Sequence, residues 1–153
     1  MGYFPSKSEE NDRSPVPPSP IRPDDVVIDK ENESQYYYSV VAIQGRRTAM
    51  EDTFSHIISE YAHLFGVYDG HGSDRVSIYL KKFILDRIHE KLLKFSNDQS
   101  KAEILKESFL EINAEYQQTA SASKTGGSTA VVGIIYKEGE VYKLAVANTR
   151  DIS

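Results

Sequence analysis

The order of strand-like and helix-like segments predicts an α+β domain with mainly antiparallel strands. Three strand-like runs come first, two amphipathic helices follow, and two more strand-like runs come after them. Because strands and helices are grouped instead of alternating, the pattern disfavours a sheet built from parallel βαβ units. The last two strands are separated by a short polar segment containing Gly139, which is the pattern of a β-hairpin.

The first 33 residues differ from the rest of the chain in composition. All 6 prolines fall here, together with many Ser, Asp and Glu residues. Such a segment buries too little apolar surface to offset the entropy lost on ordering. We therefore predict a disordered tail over residues 1–33 and a folded domain over residues 34–153. Two Ser-Pro pairs in the tail are candidate phosphorylation sites, although a plain linker is the favoured interpretation.

Three strands are predicted before the first helix, each from its composition and periodicity. Residues 36–43 (YYYSVVAI) are β-branched and aromatic, and residues 52–59 (DTFSHIIS) alternate between polar and apolar side chains. Residues 62–68 (AHLFGVY) form a nearly continuous apolar run, which predicts a strand buried on both faces.

Two helices and a hairpin complete the predicted domain. The first helix is expected from about Asp74 to Phe95, with Ser73 as its N-cap and one apolar face. The second begins with a capping box made by Ser100 and Glu103. The hairpin strands, residues 128–136 and 141–148, are apolar on both faces and are expected to need a second layer.

Composition and charge exclude several classes of function. The net charge of −5 and the lack of a long basic run argue against nucleic-acid binding. The absence of cysteine excludes disulfides, a thiolate zinc site and a cysteine nucleophile, and weakly favours a reducing compartment. No apolar run is long enough to span a membrane. We expect a cytoplasmic location, with a nuclear one left open.

The first residues match the minimal pattern for N-myristoylation, with Gly2 after the initiator and Ser6 four positions later. The pattern is short and arises often by chance. A single acyl chain holds a membrane only marginally, and the acidic residues that follow supply no polybasic second signal. Peripheral membrane association is therefore expected only if Gly2 is acylated, and a membrane-tethered adaptor is a weak alternative.

Acidic residues stand at the ends of the predicted strands. Glu51 and Asp52 lie at the start of the second strand, Asp69 ends the third, and Asp151 ends the last. Carboxylates and a main-chain carbonyl are the ligands that Mg²⁺ and Mn²⁺ prefer. Gly70 would let its carbonyl approach such an ion without a Cβ in the way. On these residues alone, the Asp-Gly pair is more often a simple turn.

Four short segments, in this order along the chain, resemble the signature motifs of one family. They are RRTAMED (46–52), FGVYDGHGS (65–73), TGGSTAVVGII (125–135) and AVANTRD (145–151). The family is that of the metal-dependent protein serine/threonine phosphatases, known as type 2C or PPM phosphatases. The resemblance extends from about Tyr37 to Asp151. It implies a β-sandwich flanked by antiparallel helix pairs, of which this chain would carry an incomplete N-terminal half.

The resemblance also implies a reaction and two residues that act on the substrate. Phosphoserine or phosphothreonine in a phosphoprotein would be hydrolysed by a water held between two Mg²⁺ or Mn²⁺ ions. Arg47 would grip the substrate phosphate through its planar guanidinium. His71 would be the general acid that protonates the leaving alkoxide. The other histidines, His56, His63 and His89, are interpreted as surface residues.

The metal ligands are implied residue by residue. Glu51 would bind one ion, Asp52 would lie near the metal-bound waters, Asp69 would bridge two ions, and Gly70 would bind through its carbonyl. Asp151 would be linked to a third, weaker ion. The segment Gly126–Thr129 is interpreted as structural, letting a loop enter a crowded strand.

This sequence departs from the family pattern in two respects. Arg150 stands where the last motif has glycine, and Ile152 stands where it has serine. The matching region is also about half the length of a family catalytic domain, so we expect the isolated chain to be weakly active or inactive. A non-catalytic, phosphatase-like module that binds phosphoproteins or regulates another enzyme is the alternative.

Overall fold

The computed structural model describes residues 38, 40–95, 100–119 and 126–153, together with the backbone of residues 26–27. The chain divides into two compact units, residues 1–50 and 51–153. In the first unit, strands β1 (Val26–Val27) and β2 (Val40–Val41) pair in antiparallel fashion. Strand β1 falls within the predicted tail, most of which lies outside the described residues, so the tail and its boundary stay predictions.

Strand β2 lies within the first predicted strand, and the second unit contains the other predicted strands and both predicted helices. Its elements are β3 (Thr53–Ile58), β4 (Ala62–Tyr68), β5 (Gly70–His71), α1 (Arg75–Phe95), α2 (Lys101–Gln117), β6 (Gly127–Glu138) and β7 (Val141–Ile152). The α+β prediction is therefore confirmed, and within this unit the two-residue strand β5 is the element that the sequence did not predict. Neither of the two helices combines the length and the apolar character needed to cross a bilayer.

The strands of the second unit form one antiparallel sheet. Strand β4 lies between β3 and β6, and β7 pairs with the other edge of β6. Strand β5 continues the register of β4 along β6, and at the junction the Thr129 N–H donates to the Asp69 carbonyl at 2.9 Å. The β6–β7 turn contains Gly139 at φ +62°, as the hairpin pattern predicted.

Both helices pack on one face of this sheet and form the core with it. The fully buried apolar residues come from β4, both helices and β6, and they include Leu64, Tyr68, Val76, Leu80, Ile84, Ile88, Ile104, Ile112, Val132 and Ile134. Burying each such side chain contributes about 1.5–3 kcal/mol. The predicted capping box is present, with the Glu103 N–H donating to Ser100 Oγ at 3.2 Å and the Ser100 N–H donating to Glu103 Oε2 at 2.9 Å.

The two helices are also joined by ion pairs. Arg87 of α1 pairs with Glu115 at 2.8 Å and with Glu111 at 3.1 Å, and Lys91, one turn later, pairs with Glu111 at 2.7 Å and with Glu107 at 3.2 Å. Hydrogen bonding to Glu115 raises the pKa of Arg87, and hydrogen bonding to Lys91 lowers the pKa of Glu111. These pairs fix the antiparallel alignment of α1 against α2.

The predicted burial of the sheet on both faces is wrong for the part of the chain that the structure describes. Val67 on β4 is 57% exposed, Val131 on β6 is 47% exposed and Leu144 on β7 is 65% exposed. The physical reason is that α1 and α2 cover only one face of the sheet, whereas the strands carry apolar side chains on both faces. The uncovered face is the outer face of the sheet.

Candidate functional site

The predicted acidic ligands lie at one end of the sheet, where β3 and β6 begin and β4 and β7 end. We call this end of the sheet, with Glu51, Asp52, Asp69 and Asp151, the acidic edge. Thr53 pairs with Tyr68, so Asp52 precedes the β3–β4 ladder by one residue and Asp69 follows it by one residue. At the same edge, Ser128 of β6 pairs with Gly70 on one side and Ile152 on the other. The carboxylate-bearing segments of three sequence motifs are therefore neighbours along this edge.

His71 and Asp151 are in direct contact at this edge. The His71 Nε2 lies 3.2 Å from the Asp151 Oδ1, and the two side chains are 58% and 49% exposed. Since a carboxylate only accepts hydrogen bonds, the imidazole donates from Nε2. The contact joins residues 80 positions apart and gives the imidazole a fixed charged partner.

A β-bulge aims Asp151 at the imidazole. Ala130 pairs with Thr149 and Ser128 pairs with Ile152, so Arg150 and Asp151 together face a single residue of β6. Bulges of this kind redirect a side chain and are common beside active sites. Among the described residues, no residue other than glycine has a positive φ, so Arg150 fits this position without backbone strain. Ile152, the other departure from the family pattern, is buried in the core.

Glu51 is held against β5 through its main chain. A Cβ added to Gly70 would lie 2.5 Å from the Glu51 carbonyl oxygen, so only glycine fits there. The fully buried Ser77 of α1 donates its hydroxyl to the same oxygen at 2.5 Å. The Thr53 hydroxyl in turn donates to the Ser77 carbonyl at 2.8 Å. Gly70 is thus required for close packing of the main chain, a reason that the sequence analysis did not give.

Ser77 is a residue of this edge that the sequence analysis missed. A serine at a buried position of an amphipathic helix was the available signal, because such a hydroxyl needs a partner. The partner could not be foreseen, since it is a main-chain atom 26 residues away.

The glycine segment at the start of β6 packs on the loop that leads into α1. Gly126 has φ +136°, a conformation that favours glycine, and a Cβ there would lie 2.7 Å from Ser73 Oγ. Gly127 and Ser128 are buried. These contacts agree with the prediction that the segment has a structural role, because its small residues let the chain enter β6 at a crowded place.

The predicted metal ligands differ in exposure and do not form a closed cage. Glu51 is half-buried, whereas Asp52, Asp69 and Asp151 are exposed. Within residues 40–95, 100–119 and 126–153, no three His, Asp or Glu residues are grouped so that they could hold one metal ion. The oxygen donors suit Mg²⁺ or Mn²⁺ in kind. They are too few in one place to complete a coordination sphere, so a bound ion would need further ligands from outside these residues.

Two further predicted residues are not part of the second unit. Arg47 belongs to the first unit, where it is exposed and its carbonyl accepts a hydrogen bond from the Gln44 amide at 2.8 Å. Its contact with a substrate phosphate stays a prediction. Gly2, the candidate lipidation site, lies outside the described residues.

The three histidines interpreted as surface residues are half-buried, so each lies at the surface with part of its side chain covered by neighbouring elements. His56 is on β3, His63 is on β4, and His89 is on α1. Buried ring nitrogens, His63 Nδ1 and His89 Nε2, show that packing against neighbouring elements encloses part of each imidazole. Of the four histidines, His71 is the one whose side chain is exposed.

Comparison with known proteins places the chain in a family. The family model described as protein phosphatase 2C matches residues 36–151, which include the whole acidic edge.

The chain belongs to the protein phosphatase 2C family.

Individual relatives agree with this assignment. A probable protein phosphatase 2C 55 of Oryza sativa subsp. japonica is 35% identical over 92% of this chain and 36% of its own length. A probable protein phosphatase 2C 25 of Arabidopsis thaliana is 33% identical over 74% of this chain and 28% of its own length. Protein phosphatase 2C 1 of Paramecium tetraurelia is 34% identical over 74% of this chain and 41% of its own length.

The chain therefore spans about a third of the length of the curated relatives it matches. The family in general depends on Mg²⁺ or Mn²⁺. Resemblance to the metal-dependent phosphatases, as inferred from the four motifs, is confirmed at the level of the family.

Proposed function

We propose that this chain carries part of the catalytic site of a metal-dependent protein serine/threonine phosphatase. The observation that supports the proposal most directly is the His71–Asp151 contact at the edge where Asp69 follows β4 and Gly70 begins β5. An imidazole paired with a carboxylate, beside further exposed carboxylates, is an arrangement suited to proton transfer near a cation site.

The ligands that we propose for the divalent ions are grouped around Gly70. Asp69 lies between β4 and β5, Gly70 is the first residue of β5, and the Glu51 main chain is held beside Gly70 by close packing and by Ser77. Asp52 is the candidate for orienting metal-bound water, and Asp151 is the candidate for a third ion. The ions would supply a water of lowered pKa to attack phosphorus, and the remaining ligands would come from outside these residues.

The protein's own groups have separate tasks in this proposal. His71 acts in its protonated form: Nδ1–H gives its proton to the oxygen of the leaving serine or threonine, and Asp151 orients the ring by accepting from Nε2. Arg47 binds the phosphate of the substrate phosphoprotein through two parallel N–H groups. Each task is assigned to a different motif.

The test of this function is phosphate release from a phosphothreonine peptide in the presence of Mn²⁺. We expect weak turnover or none from the isolated chain, and any turnover to be lost in Asp69→Asn but kept in Asp86→Asn, an exposed acid on α1. Release that persists unchanged in Asp69→Asn would contradict the proposal.

The neighbouring arginines provide a matched pair for the phosphate contact. Arg46 and Arg47 are both exposed. Arg47→Ala should weaken binding of the phosphopeptide about tenfold or more, since a hydrogen bond to a charged group contributes about 1.5–3 kcal/mol, whereas Arg46→Ala should not. If the two substitutions weaken phosphopeptide binding equally, Arg47 contributes only through general surface charge.

A non-catalytic module that binds phosphoproteins is the second candidate. It is favoured by the incomplete ligand set within the described residues. This candidate predicts phosphopeptide binding that needs no divalent cation and no phosphate release under any metal condition. Binding that requires Mn²⁺ would exclude it.

The proposed location is the cytoplasm, with a nuclear location as an alternative. Attachment to membranes would depend on acylation of Gly2. It would be weak, because a single acyl chain gives only marginal membrane binding. Mass spectrometry of the N-terminus, together with fractionation of a Gly2→Ala variant, tests both points.

A further inference from the structure

We propose that Gly127 is a positioning residue, whose missing side chain creates the space in which His71 and Asp151 meet. The importance of that meeting for proton transfer rests on the function proposed above, but the geometric claim does not. Gly127 is the second residue of the motif TGGSTA and touches no reacting group itself, so it acts through the two side chains beside it.

Three strands bring these residues together. Gly127 of β6 pairs directly with His71 of β5, and the bulge at residues 150 and 151 brings Asp151 over β6 from the opposite side. The His71–Asp151 hydrogen bond therefore crosses β6 at Gly127.

The space above Gly127 is already occupied by both partners. A Cβ placed on Gly127 would lie 2.9 Å from His71 Cε1 and 2.9 Å from His71 Nε2, and it would be closer still to Asp151 Oδ1. Real Cβ atoms essentially never lie within 3.0 Å of a non-bonded heavy atom, because steric repulsion rises steeply at that separation. A methyl group at this position would have to displace the imidazole, the carboxylate or both.

The main chain cannot relieve this overlap easily. His71 is held by its strand pairing with Gly127, and Ile152, next to Asp151, is buried and paired with Ser128. The side chains of His71 and Asp151 are both half-exposed, so they can rotate outward into solvent. The expected response to Gly127→Ala is therefore separation of the two side chains with the strands in place.

Gly133 provides a matched control on the same strand and the same face. A Cβ there would meet only Leu144 Cδ1, at an ordinary distance of 3.7 Å. Gly133→Ala adds the same methyl group to β6 without disturbing the His71–Asp151 pair.

The experiment measures the ring ¹⁵N chemical shifts of His71 by NMR, in metal-free protein at one fixed pH, with the signals assigned through His71→Gln. In the wild type, Asp151→Asn should shift the Nε2 signal because the charged acceptor is lost. The same substitution should shift it in the Gly133→Ala background, whereas it should cause no shift in the Gly127→Ala background. An Asp151-dependent shift that survives in Gly127→Ala would overturn the proposal.

Thermal unfolding provides the second measurement if Gly127→Ala alone folds poorly. Gly127→Ala should lower the Tm. The double variant Gly127→Ala/Asp151→Ala should have a higher Tm than Gly127→Ala, because the closest overlap of the added methyl group is with the Asp151 carboxylate. No recovery in the double variant would also overturn the proposal. Neither measurement needs metal or turnover, so this inference and the proposed phosphatase activity can fail independently.

Discussion

The hydroxyl of Ser77 donates to the main-chain carbonyl of Glu51 at 2.5 Å and so ties the first turn of α1 to the segment that enters β3. The same hydroxyl lies 3.0 Å from the Asp74 carbonyl. Through this link, a helix that supplies no acidic ligand of its own holds the proposed ligand Glu51 against Gly70. The acidic edge therefore depends on a buried serine as well as on the family motifs.

Removing this hydroxyl should loosen the start of β3. Ser77→Ala is expected to lower the free energy of unfolding by about 1 kcal/mol, the usual net value of one hydrogen bond. Urea denaturation measures the loss, and amide hydrogen exchange should become faster at Thr53 and Phe54. Unchanged exchange at both amides would show that Ser77 does not hold this segment.

Ser108 is a suitable control for Ser77, because it is also a fully buried serine on a helix. Its hydroxyl donates within α2 to the Ile104 carbonyl at 2.7 Å, an oxygen already positioned by the helix. Ser108→Ala should therefore cost less than Ser77→Ala and should leave hydrogen exchange in β3 unchanged.

Tyr68 should make the fold sensitive to alkaline pH. Burial raises the pKa of its phenol well above 10, and the Ser55 hydroxyl at 2.8 Å offsets this only in part. The unfolded chain loses this proton near pH 10 while the folded protein keeps it, so stability is full below pH 10 and falls as pH rises above it. The limiting slope for one proton is about 1.4 kcal/mol per pH unit.

Denaturation curves between about pH 9 and 11.5 test this expectation. Tyr68→Phe should remove the part of the slope that Tyr68 contributes, whereas Ser55→Ala should keep it, since burial is the main cause of the raised pKa. Identical slopes for the wild type and Tyr68→Phe would contradict it.

The two faces of the sheet should respond differently to substitution. Leu144 on the outer face is 65% exposed, and Ile134 on the face toward the helices is fully buried. Ile134→Ala should cost about 2–5 kcal/mol through lost burial and the cavity left behind. Leu144→Ser should cost little in stability, because the side chain is already exposed. It should also reduce self-association, measured by sedimentation, because it interrupts an exposed apolar surface. A cost for Leu144→Ser as large as that for Ile134→Ala would mean that the outer face is covered in solution.

Much of the fold follows from local patterns. The β4 range and the capping box of α2 were predicted correctly because apolar periodicity and cap chemistry act over a few residues. Burial of both sheet faces was predicted wrongly because composition shows that a face is apolar, not whether anything covers it. Val131 and Leu144 illustrate that difference.

The arrangement of the acidic edge was less accessible to prediction. The motifs identified Asp69, His71 and Asp151 as candidates, but the contact of His71 with Asp151 spans 80 positions and depends on a bulge that leaves no local signal. The reasons for glycine at positions 70 and 127 are likewise contacts with distant atoms. Sequence patterns name the residue types, and the strand register decides which of them touch.

The most direct test of the central claim is a Mn²⁺ titration of the ¹⁵N-labelled chain, followed by paramagnetic broadening of its amide signals. We predict that Gly70 and His71 broaden first, that Asp69→Asn weakens the effect by more than about tenfold, and that Asp86→Asn leaves it unchanged. Broadening that is spread evenly over the exposed acids, or that is the same in Asp69→Asn, would contradict a cation site at this edge of the sheet.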